Sequence, residues 1–173
     1  MKKKMTNCLL LILVSIMFLV FAVGSGSDVT TSNSGGTAST ADLTTYKLND
    51  DIYVKSDSGE YRVKFTKIYE TKERNEFSEK TANRVVIIEY EYENISKEND
   101  LLISEMNFKL YDKENNQLES YPVSTKYGNS ISKGRKATAS EAFALNSDSN
   151  YIELEFYDNY FNNKPNCKVA FEW

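Results

Sequence analysis

From Tyr46 to the C-terminus, apolar residues recur at every second position, and this period constrains the fold more than any other feature of the chain. Successive side chains on a strand point to opposite faces, so a period of two makes one face apolar and the other wet. Helical spacing is sustained nowhere. Tyr61, Val63 and Phe65 alternate with Arg62, Lys64 and Thr66 in a strand that runs to about Tyr69. Arg84 to Glu93 opens apolar on both faces (Val85, Val86, Ile87, Ile88), then alternates Tyr90 and Tyr92 against Glu89, Glu91 and Glu93. This is the pattern of a central strand covered on both sides at one end. Further strands are expected at Ile52–Val54, Asn107–Asp112, around Tyr121–Tyr127, and at Lys136–Leu145, Tyr151–Tyr157 and Cys167–Trp173. Turn-forming residues separate them: Asp57-Ser58-Gly59, Glu98-Asn99-Asp100, Asn115-Asn116, Lys133-Gly134 and residues 146–150. The expected fold class is all-β, an immunoglobulin-like two-sheet antiparallel sandwich of about 7–9 strands, with one long loop at Thr71–Asn83.

Ahead of this domain lies a different composition. Lys2, Lys3 and Lys4 precede an uncharged apolar run, Leu9 to Val23, interrupted only by Ser15. That is the layout of a secretory signal. The run from Cys8 to Val23 would span about 24 Å as a helix, short of the roughly 30 Å hydrocarbon core of a bilayer. Ala22 and Gly24 suit the small subsites of a signal peptidase cutting after Gly24; the alternative is an uncleaved anchor with its lysines held in the cytoplasm. Ser, Thr and Gly make up 14 of the 21 residues from Ser25 to Thr45, too little apolar surface to fold. The expected organisation is therefore a signal peptide or membrane-anchor helix at 1–24, a disordered linker at 25–45 and the sandwich at 46–173. Ser25 stands where a lipoprotein carries its lipid-accepting cysteine. The location expected is extracytoplasmic, secreted or held on the outer face of the membrane, with membrane contact only through residues 1–24 if they are kept. Without those residues 18 Lys and Arg face 25 Asp and Glu, a net charge of −7, and Cys167 has no partner for a disulfide.

Composition also excludes. The chain has no His, which removes Ser-His-Asp and Cys-His nucleophiles and His-ligated metals. A net charge of −4 and a pI of about 5.1 disfavour nucleic acid as a partner. No catalytic, cofactor or metal residue is expected. Glu89, Glu91 and Glu93, with Glu153 and Glu155, form acidic ladders best read as solvated faces paired with Arg62 and Lys64. Asp112 to Asn116 starts like a calcium loop, but Gln117 replaces the required glycine and Val123 the closing glutamate, so a hairpin turn is the better account. Glu141 shares its phase with Ala137, Ala139, Phe143 and Leu145, which aims a carboxylate inward; a bulge, or a sheet end reached by water or a basic partner, is expected to relieve it. Cys167 reads as a buried small hydrophobe. Tyr157, Tyr160 and Phe161, in an aromatic stretch ending at Pro165, and Arg74 and Phe77 in the long loop, are the candidate ligand or partner contacts.

Several local runs go beyond pattern: Glu60-Tyr61-Arg62-Val63, Arg74-Asn75-Glu76-Phe77, Val85 through Asn94, Asn107 through Asp112, and Ser132-Lys133-Gly134. In these the chain resembles the domain of unknown function 4352 family, Gram-positive extracytoplasmic, lipoprotein-type domains with an immunoglobulin-like sandwich. The resemblance implies an envelope-associated, non-enzymatic module. The function expected is a secreted or membrane-tethered, non-catalytic binding and interaction module with an unknown envelope or extracellular partner. The alternatives are an extracytoplasmic protease inhibitor using the 71–83 loop, and a hydrolase built on a carboxylate pair.

Overall fold

The computed structural model describes residues 43–173, so the expectations for the signal or anchor segment, and for all but the end of the linker, lie outside the described residues. Among the described residues nine strands follow one another: β1 (Thr45–Lys47), β2 (Ile52–Ser56), β3 (Gly59–Thr71), β4 (Arg84–Asn94), β5 (Phe108–Asp112), β6 (Glu119–Ser120), β7 (Lys136–Leu145), β8 (Tyr151–Phe156) and β9 (Cys167–Glu172). They form two sheets, ordered β1-β9-β8-β5 and β2-β3-β4-β7-β6. This is the expected all-β, two-sheet sandwich. It departs from a purely antiparallel arrangement at one edge, where β1 runs parallel to β9 with Thr45 opposite Lys168.

The two inner faces meet in an aromatic cluster. Phe65 of β3 lies 5.5 Å from Phe108 and 5.7 Å from Phe171, and Tyr90 of β4 lies 5.2 Å from Phe108, each ring pair edge to face. Such pairs join one sheet to the other and add about 0.5–1.5 kcal/mol each beyond the area they bury. The phase of β3 changes once. Thr66 is an extra residue between Phe65 and Lys67, so Tyr61, Val63 and Phe65 face inward before it and Ile68 after it. Tyr69 is thereby turned to the outer face. There it joins Val85, Ile87, Ala142 and Ala144 under Tyr121 and Val123, a small second core that explains why β4 begins apolar on both sides.

The segment expected to be a strand at Tyr121–Tyr127 is irregular beyond Ser120. Pro122 has no N–H to give to a ladder, and the chain breaks away from β7 at that point. The Tyr121 N–H donates to the Ala142 carbonyl, and the next contact is the Ser140 N–H donating to the Lys126 carbonyl. Residues 122–125 loop out between these two bonds, opening a gap in the sheet opposite Glu141.

The inner face of β4 carries a polar column. The Tyr90 hydroxyl donates to the Ile103 carbonyl at 3.1 Å. The Tyr92 hydroxyl donates to the Asn129 carbonyl at 2.5 Å and accepts the Asn129 N–H at 2.8 Å. Asn94 is fully buried; its amide donates to the Asn99 and Ile131 carbonyls and its oxygen accepts the Lys97 N–H. Three alternate residues thus fasten the strandless stretches 99–104 and 128–131, which also bridge each other through Leu101 and Ile131. At the other end of β4, Arg84 pairs with Glu70, donates to the carbonyls of Ser147 and Ser149, and leaves Glu70 to accept the Trp173 indole N–H at 3.2 Å.

Removing one member of the column leaves buried groups unpaired, which costs about 1–3 kcal/mol per group. Asn94→Ala is expected to lower the unfolding free energy by about 2–3 kcal/mol and Tyr92→Phe by about 1–2 kcal/mol, read from urea denaturation midpoints. An Asn94→Ala chain as stable as its parent would contradict the role given to the column.

Candidate functional site

The gap at residues 122–125 is one side of a cleft. Its floor is Glu141 and Ala142 of β7; one wall is Leu102, Ser104, Glu105 and Met106, the other the strap from Ser120 to Gly128, and Ser78, Glu79 and Lys80 of the β3–β4 loop close one end. The volume is about 840 Å³. Gly128 sets the spacing of the walls: a Cβ there would stand 2.7 Å from the Ile103 carbonyl oxygen and 3.1 Å from the Tyr92 hydroxyl, so no other residue allows this approach. The walls are held as well as placed. The Ser104 N–H donates to the Asn107 side-chain oxygen at 3.1 Å, and the Asn107 amide donates to the Tyr157 carbonyl at 2.8 Å.

Glu141 is the chemical centre of the cleft. The inward phase expected for it is observed, opposite Ile88 in the β4–β7 ladder, and it is reached by solvent through the gap. Its Oε1 lies 3.2 Å from the Tyr90 hydroxyl, whose single proton it shares with the Ile103 carbonyl. Burial pushes its pKa above the ordinary carboxylate value, the Tyr90 hydroxyl and the Glu105 backbone N–H pull it back, and the nearby Glu105 charge adds to the rise. Around this acid the rim is apolar and open, with Leu102 49%, Met106 56% and Tyr127 82% exposed.

The five residues proposed from the sequence are distributed over two other places. Tyr157 is buried; its hydroxyl donates to Glu155 at 2.6 Å, Lys109 sits 4.5 Å above its ring, and burial together with Glu155 raises its pKa. It packs beside the outward-facing Lys109 and Glu155 of the β5–β8 pair and is not presented with its neighbours. Tyr160 and Phe161 are exposed and pack edge to face on each other at 5.6 Å. In the 72–83 connection Arg74 turns back on its own loop, donating to the carbonyls of Thr71, Glu73 and Asn83, while Phe77 is 95% exposed. Phe77 and Arg74 adjoin the cleft, because the depression they line also contains Pro122, Val123, Thr125 and Tyr127. The reading missed Leu102, Met106 and Tyr127; the one available signal was Pro122, which forbids a regular strand there.

The remaining candidates have structural partners. Arg62 pairs with Glu91 at 2.8 Å and Glu93 at 3.4 Å, and Lys168 with Glu153 at 2.6 Å, so the acidic ladders are largely neutralised across strands. Lys64 pairs instead with Asp51, at 3.0 Å. Asp112 forms the expected turn, with Asn115 at φ 65°: its Oδ1 accepts the N–H groups of Glu114 and Asn116, both at 2.9 Å. Burial alone would raise Asp112, but these bonds outweigh it and hold the carboxyl below its ordinary range. Among the described residues no group of three His, Cys, Asp or Glu is placed to hold a metal ion. Cys167 is buried, and burial pushes its thiol up to about 12.

Comparison with known proteins adds the lineage. The family described as Domain of unknown function (DUF5067) matches residues 37–158. The chain belongs to that family. Among solved structures, MPT63, a secreted protein from Mycobacterium tuberculosis, is similar at 12% identity and a TM-score of 0.57, over 77% of this chain and 99% of its own. The ycdA protein of Bacillus subtilis, described as a lipoprotein candidate, is similar at 18% identity and a TM-score of 0.53, over 72% of this chain and 38% of its own. These likenesses show a shared β-sandwich fold. No curated protein matches the chain.

The pKa of Glu141 makes a prediction of definite sign. A carboxyl whose folded-state pKa is raised binds more protons in the folded chain, so it subtracts stability as pH rises above its unfolded value of about 4.3. Gln keeps the acceptor for Tyr90 without the charge. Glu141→Gln is therefore expected to melt at a higher temperature than the parent at pH 7, with the gain gone below about pH 4. Equal melting temperatures at both pH values would contradict the raised pKa.

Proposed function

We propose that this chain is a non-catalytic extracytoplasmic binding module, secreted or tethered through residues 1–24, and that the Glu141 cleft is its contact face. The observation that carries this reading is an open cleft of about 840 Å³ with exposed apolar rims on walls pinned by the Tyr90, Tyr92 and Asn94 column. Rigid walls lower the ordering cost of binding. Extracytoplasmic location is supported by the lysine-led apolar segment at the N-terminus and by structural neighbours that are a secreted protein and a lipoprotein candidate. We take residues 1–24 as a signal peptide or anchor and the resemblance to the domain of unknown function 4352 family as a distant kinship among Gram-positive envelope domains. The non-catalytic reading draws on the sequence, which has no His and so lacks the commonest general base.

A second reading, a protease inhibitor working through the 71–83 loop, draws on Arg74, which ties both ends of that loop and leaves Phe77 at its exposed tip. One experiment separates the two. A photo-crosslinking phenylalanine analogue at position 127 is expected to capture an envelope or extracellular component, while the same group at Tyr53, exposed on the β2 edge, captures none. Equal adducts at both positions would remove the cleft from the function. Capture of a protease from position 77 alone would favour the inhibitor.

A further inference from the structure

The cleft presents an acid without a counter-charge. Tyr90 from β4 meets Glu141 from the protein side, Glu105 and Glu79 add negative charge to the walls, and Lys80 is the basic residue of the lining. Lys80 is engaged elsewhere: its Nζ donates to the Ser120 carbonyl at 2.8 Å and lies 3.8 Å from Glu119. Among the described residues no basic side chain pairs with Glu141. Tyr121 and Tyr127 from the strap bring no charge. A carboxylate at the base of an apolar-rimmed cleft is complementary to a cation carried on an apolar stem.

We propose that the cleft takes a lysine side chain of a partner polypeptide, Glu141 meeting the ε-ammonium while Leu102, Met106 and Tyr127 pack its aliphatic stem. This rests on the cleft being the contact face. Lysine suits the site because its compact ammonium needs only one direction of approach and its four-carbon stem is apolar along its length. A polypeptide suits it better than a free amine because the cleft exceeds the size of one side chain. Its strap residues Pro122, Val123, Thr125 and Tyr127 also line the depression beneath Phe77, which gives the flanking residues of an extended segment a place to lie. The excess of 25 Asp and Glu over 21 Lys and Arg favours the approach of such a basic segment over an acidic one.

The test uses the whole chain and heptapeptides, acetylated and amidated, with leucines flanking a central Lys, norleucine or Glu, titrated calorimetrically at pH 7.5. The lysine peptide is expected to bind about tenfold tighter than the norleucine peptide, and the Glu peptide most weakly. Glu141→Gln, folded by its melting curve, is expected to reduce the lysine preference below about threefold. Glu105→Gln, on the exposed wall, provides a second, milder loss of the same preference. Tyr127→Ala should weaken the lysine and norleucine peptides alike. Equal affinity for Lys and norleucine, a preference that survives Glu141→Gln, n-butylamine binding as well as the peptide, or no saturation by the lysine peptide up to about 5 mM would each overturn the proposal. A norleucine peptide seated against Tyr127 without charge preference would do so while leaving the contact-face reading intact. That reading falls instead on crosslinks indifferent to position 127.

Discussion

The structure depends on a strand that buries polar tips. β4 lies at the centre of its sheet, and on its inner face Tyr90, Tyr92 and Asn94 follow the aliphatic Val86 and Ile88. Two hydroxyls and an amide in a dry interior each cost several kcal/mol unless paired. Besides Glu141 of β7 and the Lys97 N–H, those partners are backbone groups at 99–104 and 128–131, outside any regular strand. The demand for hydrogen bonds therefore brings two irregular segments together over the edge of the sandwich, and the cleft is the space they leave over Glu141. Packing alone would have allowed the segments many positions. Directional bonds select one.

Strands obey local rules, and these were legible. The alternation through Tyr61–Phe65, Arg84–Glu93 and Tyr151–Tyr157 places strands correctly because a half-buried sheet face demands period two. Lys136–Leu145 is a strand over its full expected length. Three features escaped. The bulge at Thr66 reverses the phase of β3 without any change in composition. β1 is three residues, Thr45-Tyr46-Lys47, too few to show a period; only its pairing to β9, 123 positions along the chain, makes it a strand. The strap at 121–127 carries alternating apolar residues that serve a second small core on the outer face, so the pattern was present and its geometry was different.

The cleft was half visible. The phase of Glu141 announced an acid pointing the wrong way, which sequence reasoning resolved by proposing a bulge or a sheet end. The structure resolves it on the partner strand instead, through the loop-out of 122–125. Leu102, Met106 and Tyr127 come from two segments far apart in the chain and have no shared motif. Their assembly is a property of the tertiary fold. Similarity of fold to proteins at 12–18% identity cannot reveal such a surface, because a sandwich tolerates almost any loop on its rigid frame.

The parallel pairing of β1 with β9 has a consequence for the order of events in folding. β9 sits between β1 and β8, so its sheet is split until residues 167–172 arrive. A chain that emerges from its N-terminus, at the ribosome or through a translocation pore, can zip the β3–β4 hairpin early but must wait for nearly all the rest before the second layer exists. Until then the aromatic face of β3 and β4 stays open to water and to neighbouring chains. The last few residues act as a keystone, and their loss would leave a half-built sandwich with a sticky face.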